Sequence, residues 1–173
     1  MATDSNALTA VAVSGGMDSL LSLALLAEAG GPVMAVHAFF LPPDEPSLER
    51  SRLMEEQCRS MGVPYLALDL SPQFEEQVIQ PFEQAYGQGL TPNPCGLCNP
   101  RMKFGLLFDA VRTQGAERLA TGHYVRLHEA EQGVRLIRGK DPVKDQSYFL
   151  SLTPITTLAA CVFPLGAMFK QDV

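Results

Sequence analysis

The segment that begins at Ser14 and ends at Ser19 carries the most chemical information in this chain of 173 residues. It reads Ser-Gly-Gly-Met-Asp-Ser and stands between a short apolar run and a long one. Gly15 and Gly16 let backbone N–H groups approach an anion, while Asp18 and Ser19 fall where a following helix presents its unpaired N–H groups and its positive dipole end. Strand-to-helix turns also need glycine for geometric reasons, so the glycines alone are weak evidence. The whole pattern favours a site for the pyrophosphate of a nucleotide.

This loop differs from two widespread phosphate-binding loops. It lacks the lysine of the G-x-x-x-x-G-K-[ST] motif, and it does not have the full G-x-G-x-x-G spacing. It resembles instead the pyrophosphatase loop of enzymes that cleave ATP between the α and β phosphates and form an adenylate. The resemblance implies ATP as the ligand.

Cys95 and Cys98 form the second group that could do chemistry. They lie in a segment rich in Pro, Gly and Asn, ahead of a predicted helix. A helix N-terminus and the charges of Arg101 and Lys103 are expected to lower a thiol pKa and so to favour the thiolate of a nucleophile or metal ligand. Three interpretations are open: a sulfur-carrying nucleophile, a redox or metal-binding C-x-x-C pair, and inert packing, which suits a surface loop least.

Alternating strand and helix patterns must position these groups. They predict an α/β fold of Rossmann-like type, a doubly wound, mostly parallel sheet with helices on both faces. The predicted strands cover residues 9–13, 33–40, 65–70 and 118–121, with a hairpin or strand pair over 124–128 and 134–138. The predicted helices cover 18–29, 48–61, 73–86 with an interruption at Pro81, and 102–114, with a loop over 87–99 and the start of a further helix over 166–173.

In such sheets the ligand lies beyond the carboxyl ends of the strands, where the strand order reverses. We expect the first and fourth strands to be neighbours at that point. This arrangement places the run Thr-Gly-His-Tyr at 121–124 beside the glycine loop. Gly122 would then permit close approach of the nucleotide.

Length and composition limit the class of protein. The chain suits one domain, predicted over 9–173 after a flexible N-terminus at 1–8. The start has no secretory pattern, and the longest apolar stretch is too short for a membrane span of about 20 residues. We therefore expect a cytoplasmic protein without a membrane partner. The four cysteines indicate thiol or metal chemistry, or burial, rather than a disulfide framework.

The formal net charge of −6 disfavours a nucleic-acid partner, because Lys and Arg supply most of the affinity for phosphates. A basic face could still form in the second half of the chain, although ordinary surface charge is the preferred interpretation. Its candidate members are Arg101, Lys103, Arg126, Arg135, Arg138, Lys140 and Lys144.

Four motifs occur in one characteristic order. They are residues 14–19, Thr-Pro-Asn-Pro at 91–94 with Cys-Asn at 98–99 and Lys-Phe at 103–104, Thr-Gly-His-Tyr at 121–124, and Lys-Asp-Gln-Ser-Tyr-Phe-Leu at 144–150. With this order the chain resembles the N-terminal ATP-pyrophosphatase domain of the bacterial tRNA-specific 2-thiouridylases, over about residues 9–173. The family's central domain and C-terminal β-barrel have no counterpart here, so we expect a truncated or excised domain.

The resemblance implies a fold of the adenine nucleotide alpha hydrolase type and a two-step reaction. ATP, with Mg²⁺, adenylates the C2 oxygen of the wobble uridine in a tRNA, and a cysteine persulfide then delivers sulfur to C2 and expels AMP. The implied partners are tRNA and a persulfide sulfur donor protein, and DNA is not among them.

The resemblance also implies roles for individual residues. Cys98, with Cys95 beside it, corresponds to the catalytic position. The implied nucleotide-binding residues are Ser14, Gly15, Gly16, Asp18, Ser19, Ala38 and Gly122. The implied substrate-binding residues are Asn93, Pro94, His123, Lys144, Asp145 and Gln146.

Two departures from the family leave room for different chemistry. Cys95 stands where the family usually has Asp, and the family's persulfide-carrying partner cysteine lies beyond this segment. Cys95 and Cys98 could instead hold an iron–sulfur cluster with Cys161 as third ligand, but the apolar surroundings of Cys161 favour core packing, so the simple nucleophile is preferred. Two rival functions stay open: a sulfurtransferase of the same class that acts on a small molecule, and a non-catalytic nucleotide-binding module.

Overall fold

The computed structural model describes residues 6–173, and a parallel sheet forms its centre. The strands are β1 (Thr9–Ala12), β2 (Val33–Phe39), β3 (Tyr65–Asp69), β4 (Arg118–Ala120), β5 (Val125–Ala130), β6 (Gly133–Arg138) and β7 (Cys161–Val162). Five of them pair in parallel in the order β3-β2-β1-β4-β7, and β5 and β6 form an antiparallel hairpin. The predicted fold class and the predicted hairpin are confirmed.

Helices fill the connections between the strands. They are α1 (Met17–Glu28), α2 (Glu45–Ser60), α3 (Ser71–Phe74), α4 (Gln80–Gly87), α5 (Pro94–Cys98), α6 (Phe108–Arg112) and α7 (Ile155–Leu158). Two π-helical segments, Glu75–Ile79 and Asn99–Leu107, join α3 to α4 and α5 to α6. Short 3₁₀ turns occupy Ser147–Leu150, Pro164–Ala167 and Lys170–Asp172. Among the helices of residues 6–173, none has the length and apolar character that crossing a bilayer requires.

Both faces of the sheet are covered, because β1 sends alternate side chains to opposite sides. Val11 packs with Leu23 of α1 and Met54 of α2 on one face. Ala10 joins the cluster around Phe108 on the other face, beneath the helical stretch that follows the cysteines. Burial on both faces explains why the central strands are apolar at nearly every position.

The strand order reverses between β1 and β4. The chain runs from β1 outward to β2 and β3, then returns to the other side of β1, where Val11 lies opposite Ala120. The predicted pairing of the first and fourth strands is therefore confirmed. The segments that leave β1 and β4 emerge at the same edge, where open α/β sheets bind their ligands.

The helix around Pro81 and the end of the chain differ from the predictions. The predicted interruption takes the form of the π turn at Glu75–Ile79, since Pro81 has no N–H to donate to the preceding turn. The end of the chain forms 3₁₀ turns rather than the predicted further helix. Backbone groups of this segment form hydrogen bonds with other parts of the chain instead of with a continuing helix. The Gly166 carbonyl accepts the Lys140 N–H at 2.8 Å, and the Lys170 N–H donates to Asp141 Oδ2 at 3.0 Å.

Candidate active site

The segment after β1 presents backbone donors without a side-chain cap. Gly15 has φ +80°, a left-handed conformation that side chains disfavour, and it turns the chain from the strand into α1. Gly16 occupies the N-cap position, where no side chain in the described part of the chain bonds to the first turn. The Ser19 N–H donates to the Gly16 carbonyl at 3.1 Å, so the N–H groups of residues 15–18 are the ones available to an anion, as the sequence pattern suggested.

Ser19 ties this loop together from inside. Its Oγ donates to the Gly16 carbonyl at 2.8 Å and accepts the Ser14 N–H at 3.1 Å. The two serine hydroxyls lie 3.3 Å apart, and Ser19 is buried. Ser19 therefore holds the loop in shape, whereas the hydroxyl of Ser14 is the more exposed of the two.

A cavity of about 400 Å³ opens above the loop, at the carboxyl ends of β1, β2 and β4. This volume is typical of small-molecule sites. Its lining includes several residues singled out from the sequence: Ser14, Asp18, Ser19, Ala38, Gly122, His123 and Gln146. The other lining residues are Ala12, Val13, Val36, Phe40, Lys103, Leu107 and Thr121.

Gly122 is constrained by protein packing. A Cβ at this position would lie 3.1–3.2 Å from the backbone and Cβ of Asp18. The end of β4 therefore approaches the first turn of α1 so closely that a side chain would push them apart. This contact fixes the geometry of the cavity floor, in addition to any approach by a ligand.

His123 lies half-buried in the cavity wall as a neutral ring. Its Nδ1 is 2.8 Å from Thr121 Oγ1, and its ring centroid is 5.9 Å from that of Phe104 and 6.4 Å from that of Phe163. Burial, together with the positive charge of Lys103, lowers the pKa of His123 to about 3. At physiological pH this side chain offers a phosphate no positive charge.

Asp18 is held by two donors at the same oxygen. The Tyr124 hydroxyl donates to Asp18 Oδ1 at 2.9 Å, and the Lys170 ammonium lies 2.6 Å from it. Burial, followed by the hydrogen bond to Asp18, raises the pKa of Tyr124. The carboxylate is thereby positioned at the N-terminus of α1, on the cavity wall.

The two site cysteines lie on the helix α5, which begins at Pro94. The loop predicted over 87–99 was therefore wrong from that residue onward. The Asn93 side chain accepts the Gly96 N–H at 3.3 Å, and Pro94 takes the first helical position of α5. These are the residue types that begin helices, and their signal outweighs the local richness in Pro and Gly. Cys95 is exposed and Cys98 is half-buried on this short turn.

The expected activation of the thiol is also wrong for Cys98. Burial raises the pKa of the Cys98 thiol, and the charge of Lys103 offsets this only in part. The guanidinium of Arg101 donates instead to the Gln77 carbonyl at 2.7 Å. The desolvation of a packed helix thus dominates over the nearby positive charges.

The π-helical segment Asn99–Leu107 connects the thiols to the cavity. A π turn closes on residue i+5, so Lys103 comes about one turn after Cys98 and reaches the cavity wall. Asn99 is buried, and its Nδ2 donates to the Phe149 carbonyl at 2.9 Å. None of Asn93, Pro94 and the two site cysteines lines the cavity, so the thiols are not part of its wall.

The segment at 144–146 contributes one cavity residue. Gln146 lines the cavity, and its Oε1 accepts the Tyr124 N–H at 3.0 Å. Asp145 is occupied by protein donors: its Oδ1 accepts the Gly139 N–H at 3.0 Å, and its Oδ2 accepts the Ser147 hydroxyl at 2.9 Å. The Lys144 side chain is exposed.

The donor set for an iron–sulfur cluster is not assembled. Within residues 6–173, no three Cys, His, Asp or Glu side chains come together as a metal site. The Cys161 thiol donates to the Thr157 carbonyl at 3.3 Å, and burial raises its pKa to about 12. Cys161 is therefore a packed core residue, as its surroundings in the sequence suggested.

Some residues of the site were not predicted to belong to the nucleotide cavity or to contact it. Lys103 and Tyr124 stand in quoted motifs, and Phe40 ends the predicted second strand, so their spacing offered a signal. Lys170 offered none, because it lies 152 positions from Asp18 along the chain.

Comparison with known proteins shows which family the chain belongs to. Residues 8–173 match the family model described as tRNA methyl transferase HUP domain. The chain belongs to this family. It is 52% identical over 171 residues to the tRNA-specific 2-thiouridylase MnmA of Oleidesulfovibrio alaskensis, a match that covers 95% of the chain and 48% of that protein.

The MnmA of Thermus thermophilus is 43% identical over 180 residues, covering 94% of the chain and 47% of that protein. The chain thus spans about half the length of the curated relatives it matches. Among solved structures, the predicted subunit of tRNA methyltransferase from Methanocaldococcus jannaschii has a TM-score of 0.57 at 17% identity, over 95% of this chain and 71% of that one. This last likeness shows the fold alone.

Proposed function

We propose that the chain binds ATP in this cavity and adenylates the wobble uridine of a tRNA, as the first half of a 2-thiouridylase reaction. The observation that carries the proposal is the uncapped glycine loop at 14–19, which lines a cavity of nucleotide-site size. The 2-thiouridylase names of relatives at 43–52% identity support the choice of reaction.

The nucleotide would lie across the strand ends. Ala38 and Phe40 at the end of β2 and Gly122 after β4 form the apolar wall suited to the base and ribose. The phosphates would point toward α1, where backbone N–H groups and the helix dipole favour negative charge. Lys103 adds a positive charge on the cavity wall.

Mg²⁺ fits this arrangement through Asp18. Its carboxylate is an oxygen ligand of the kind that Mg²⁺ prefers, and it stands on the cavity wall at the helix N-terminus. When bound, the ion neutralises phosphate charge. The protein itself contributes the position of Asp18, which Tyr124 fixes by its hydrogen bond.

The proposed chemistry begins with activation of the base. The uridine C2 oxygen attacks the α phosphorus of ATP, the bond to pyrophosphate breaks, and C2 becomes susceptible to attack. The terminal sulfur of the donor protein's cysteine persulfide then forms a bond to C2, and the C2–O bond breaks to release AMP. In this scheme Cys98, with Cys95 beside it, is the catalytic thiol: its thiolate attacks the inner sulfur and the S–S bond breaks. The transferred sulfur stays on C2, and Cys98 is left in a disulfide with the donor cysteine that a free thiol then reduces.

The partners in this proposal are a tRNA and a persulfide sulfur donor protein in the cytoplasm. A wobble base belongs to a single-stranded loop, and such bases are recognised by stacking on aromatic side chains and by nearby basic groups. Tyr148 is 70% exposed next to α5, and Phe149 is 38% exposed. Lys144 is exposed at the start of the same segment, and Asn93 and Pro94 begin α5 itself.

The test combines the chain with ATP, Mg²⁺, a donor protein that carries a cysteine persulfide, and an unmodified tRNA that carries U34. We expect pyrophosphate and AMP release that depends on this tRNA, and 2-thiouridine on nucleoside analysis. The matched control is the same tRNA with C34, which should give neither product. Release that is independent of tRNA would contradict the proposal and favour a small-molecule substrate.

A further inference from the structure

We propose that Lys170 is the phosphate-binding lysine of this site, supplied from the far end of the chain in place of the lysine that the loop lacks. This inference rests on the proposed function, since it requires nucleotide phosphates at the loop. It adds a binding residue to that function.

The position of the Lys170 ammonium is the first argument. It lies 2.6 Å from Asp18 Oδ1, in the first turn of α1, where the phosphate loop ends. The loop itself offers only neutral donors and the partial charge of the helix. Lys170 meets the cavity through Asp18, which lines it, and Lys103 is a second cation on the cavity wall.

The donor capacity of Lys170 is the second argument. An ammonium has three N–H donors, and Asp18 is its one side-chain partner within residues 6–173. Its side chain is 28% exposed, so the remaining donors are accessible. Lys170 can therefore bind a phosphate oxygen and keep its contact with Asp18.

The backbone around Lys170 is fixed, which is the third argument. The Lys170 N–H donates to Asp141 Oδ2 at 3.0 Å, and the Lys140 ammonium lies 4.8 Å from the centre of the Phe169 ring. At Gly166, a Cβ would collide with the Val125 carbonyl, so the turn packs directly on the start of the hairpin. The chain end is held against the site through several independent contacts.

Tyr124 keeps Asp18 in place independently of Lys170. Its hydroxyl donates to the same oxygen at 2.9 Å, and its side chain is buried. Loss of the lysine charge therefore leaves the carboxylate and the loop positioned. This makes Lys170→Met a change of charge at the phosphates more than a change of structure.

The experiment compares Lys170→Met, Lys170→Arg and Arg135→Met by titration calorimetry with pyrophosphate and with AMP, each with Mg²⁺. Arg135→Met is the control, because it removes one exposed positive charge from β6 without touching the loop or the segment that holds Lys170. For Lys170→Met we expect about a tenfold or larger loss of pyrophosphate affinity, the usual value of a hydrogen bond to a charged group, and unchanged AMP affinity. Lys170→Arg should recover part of the loss, and Arg135→Met should bind both ligands like the wild type.

Two results would overturn the inference. Wild-type pyrophosphate affinity in Lys170→Met would show that the lysine does not reach the phosphates. Equal losses for pyrophosphate and AMP would show that it only supports the structure. If the wild-type protein binds neither ATP nor pyrophosphate, the proposed function itself fails, and the inference with it.

Discussion

The phosphate loop at 14–19 lines the cavity and the cysteine helix α5 does not, and the two were predictable to very different degrees. The form of the loop follows from local features, namely a glycine at φ +80° and an uncapped helix start. The state of Cys98 depends on what packs over it, and burial raises the pKa that nearby charges were expected to lower. Anion binding by backbone groups is encoded locally, whereas thiol reactivity is set by tertiary contacts.

The largest expected effect separates the two regions by removing the nucleophile. Cys98→Ser should reduce 2-thiouridine formation to background, because the hydroxyl cannot replace the thiol. ATP affinity should remain at the wild-type value, since Cys98 does not line the cavity. Nucleoside analysis and calorimetry on the same sample measure both. Substantial thiolation by this variant would contradict the role of Cys98.

A second substitution should act on the other region. Gly122→Val places side-chain atoms against the Asp18 backbone, where even a Cβ would lie at 3.1–3.2 Å. We expect a loss of about 1–3 kcal/mol in the free energy of unfolding, together with weaker ATP binding. The control is Gly87→Ala, where nothing lies within 4 Å of the new Cβ. Equal stability of both variants in denaturant melts would disprove the close packing.

The helix start at the cysteines gives a smaller effect. Asn93→Ala removes the side-chain acceptor for the Gly96 N–H and should cost about 1 kcal/mol. Asp44→Ala, which removes the corresponding cap of α2, provides a comparison of similar size. If Asn93→Ala leaves the melting temperature unchanged while Asp44→Ala lowers it, the cysteines belong to a loop after all.

The effect that is smallest at neutral pH concerns His123, whose ring lies against Phe104 in the cavity wall. The pKa of His123 is about 3 in the folded protein, against about 6.5 for a solvated histidine. Between these two pH values the unfolded chain carries a proton on this ring and the native state does not. Its contribution to stability is therefore present above about pH 6.5 and is lost as the pH falls toward about 3. His123→Gln should flatten the dependence of unfolding free energy on pH in this window. A variant with the wild-type slope would show that the ring is solvated.

Much of the fold could be predicted because it follows short-range patterns. The run at 9–13 and the neighbouring strands are apolar, the helices between them are amphipathic, and the reversal of strand order beside β1 follows from that alternation. The start of α5 was missed because Pro94 and Gly96 were interpreted as loop residues, although Asn93 with Pro94 is a helix-start signal. The contact of Lys170 with Asp18 could not be predicted, since no local pattern links residues 152 positions apart.

The central claim is that the N-terminus of α1 and its glycine loop bind the phosphates of a nucleotide. Titration calorimetry of the protein with ATP in the presence of Mg²⁺ tests it most directly. The account predicts saturable heat with one site per chain, and weaker binding in Ser19→Ala, which loses the hydroxyl that holds Ser14 and Gly16. The absence of heat from both ATP and AMP would contradict the account.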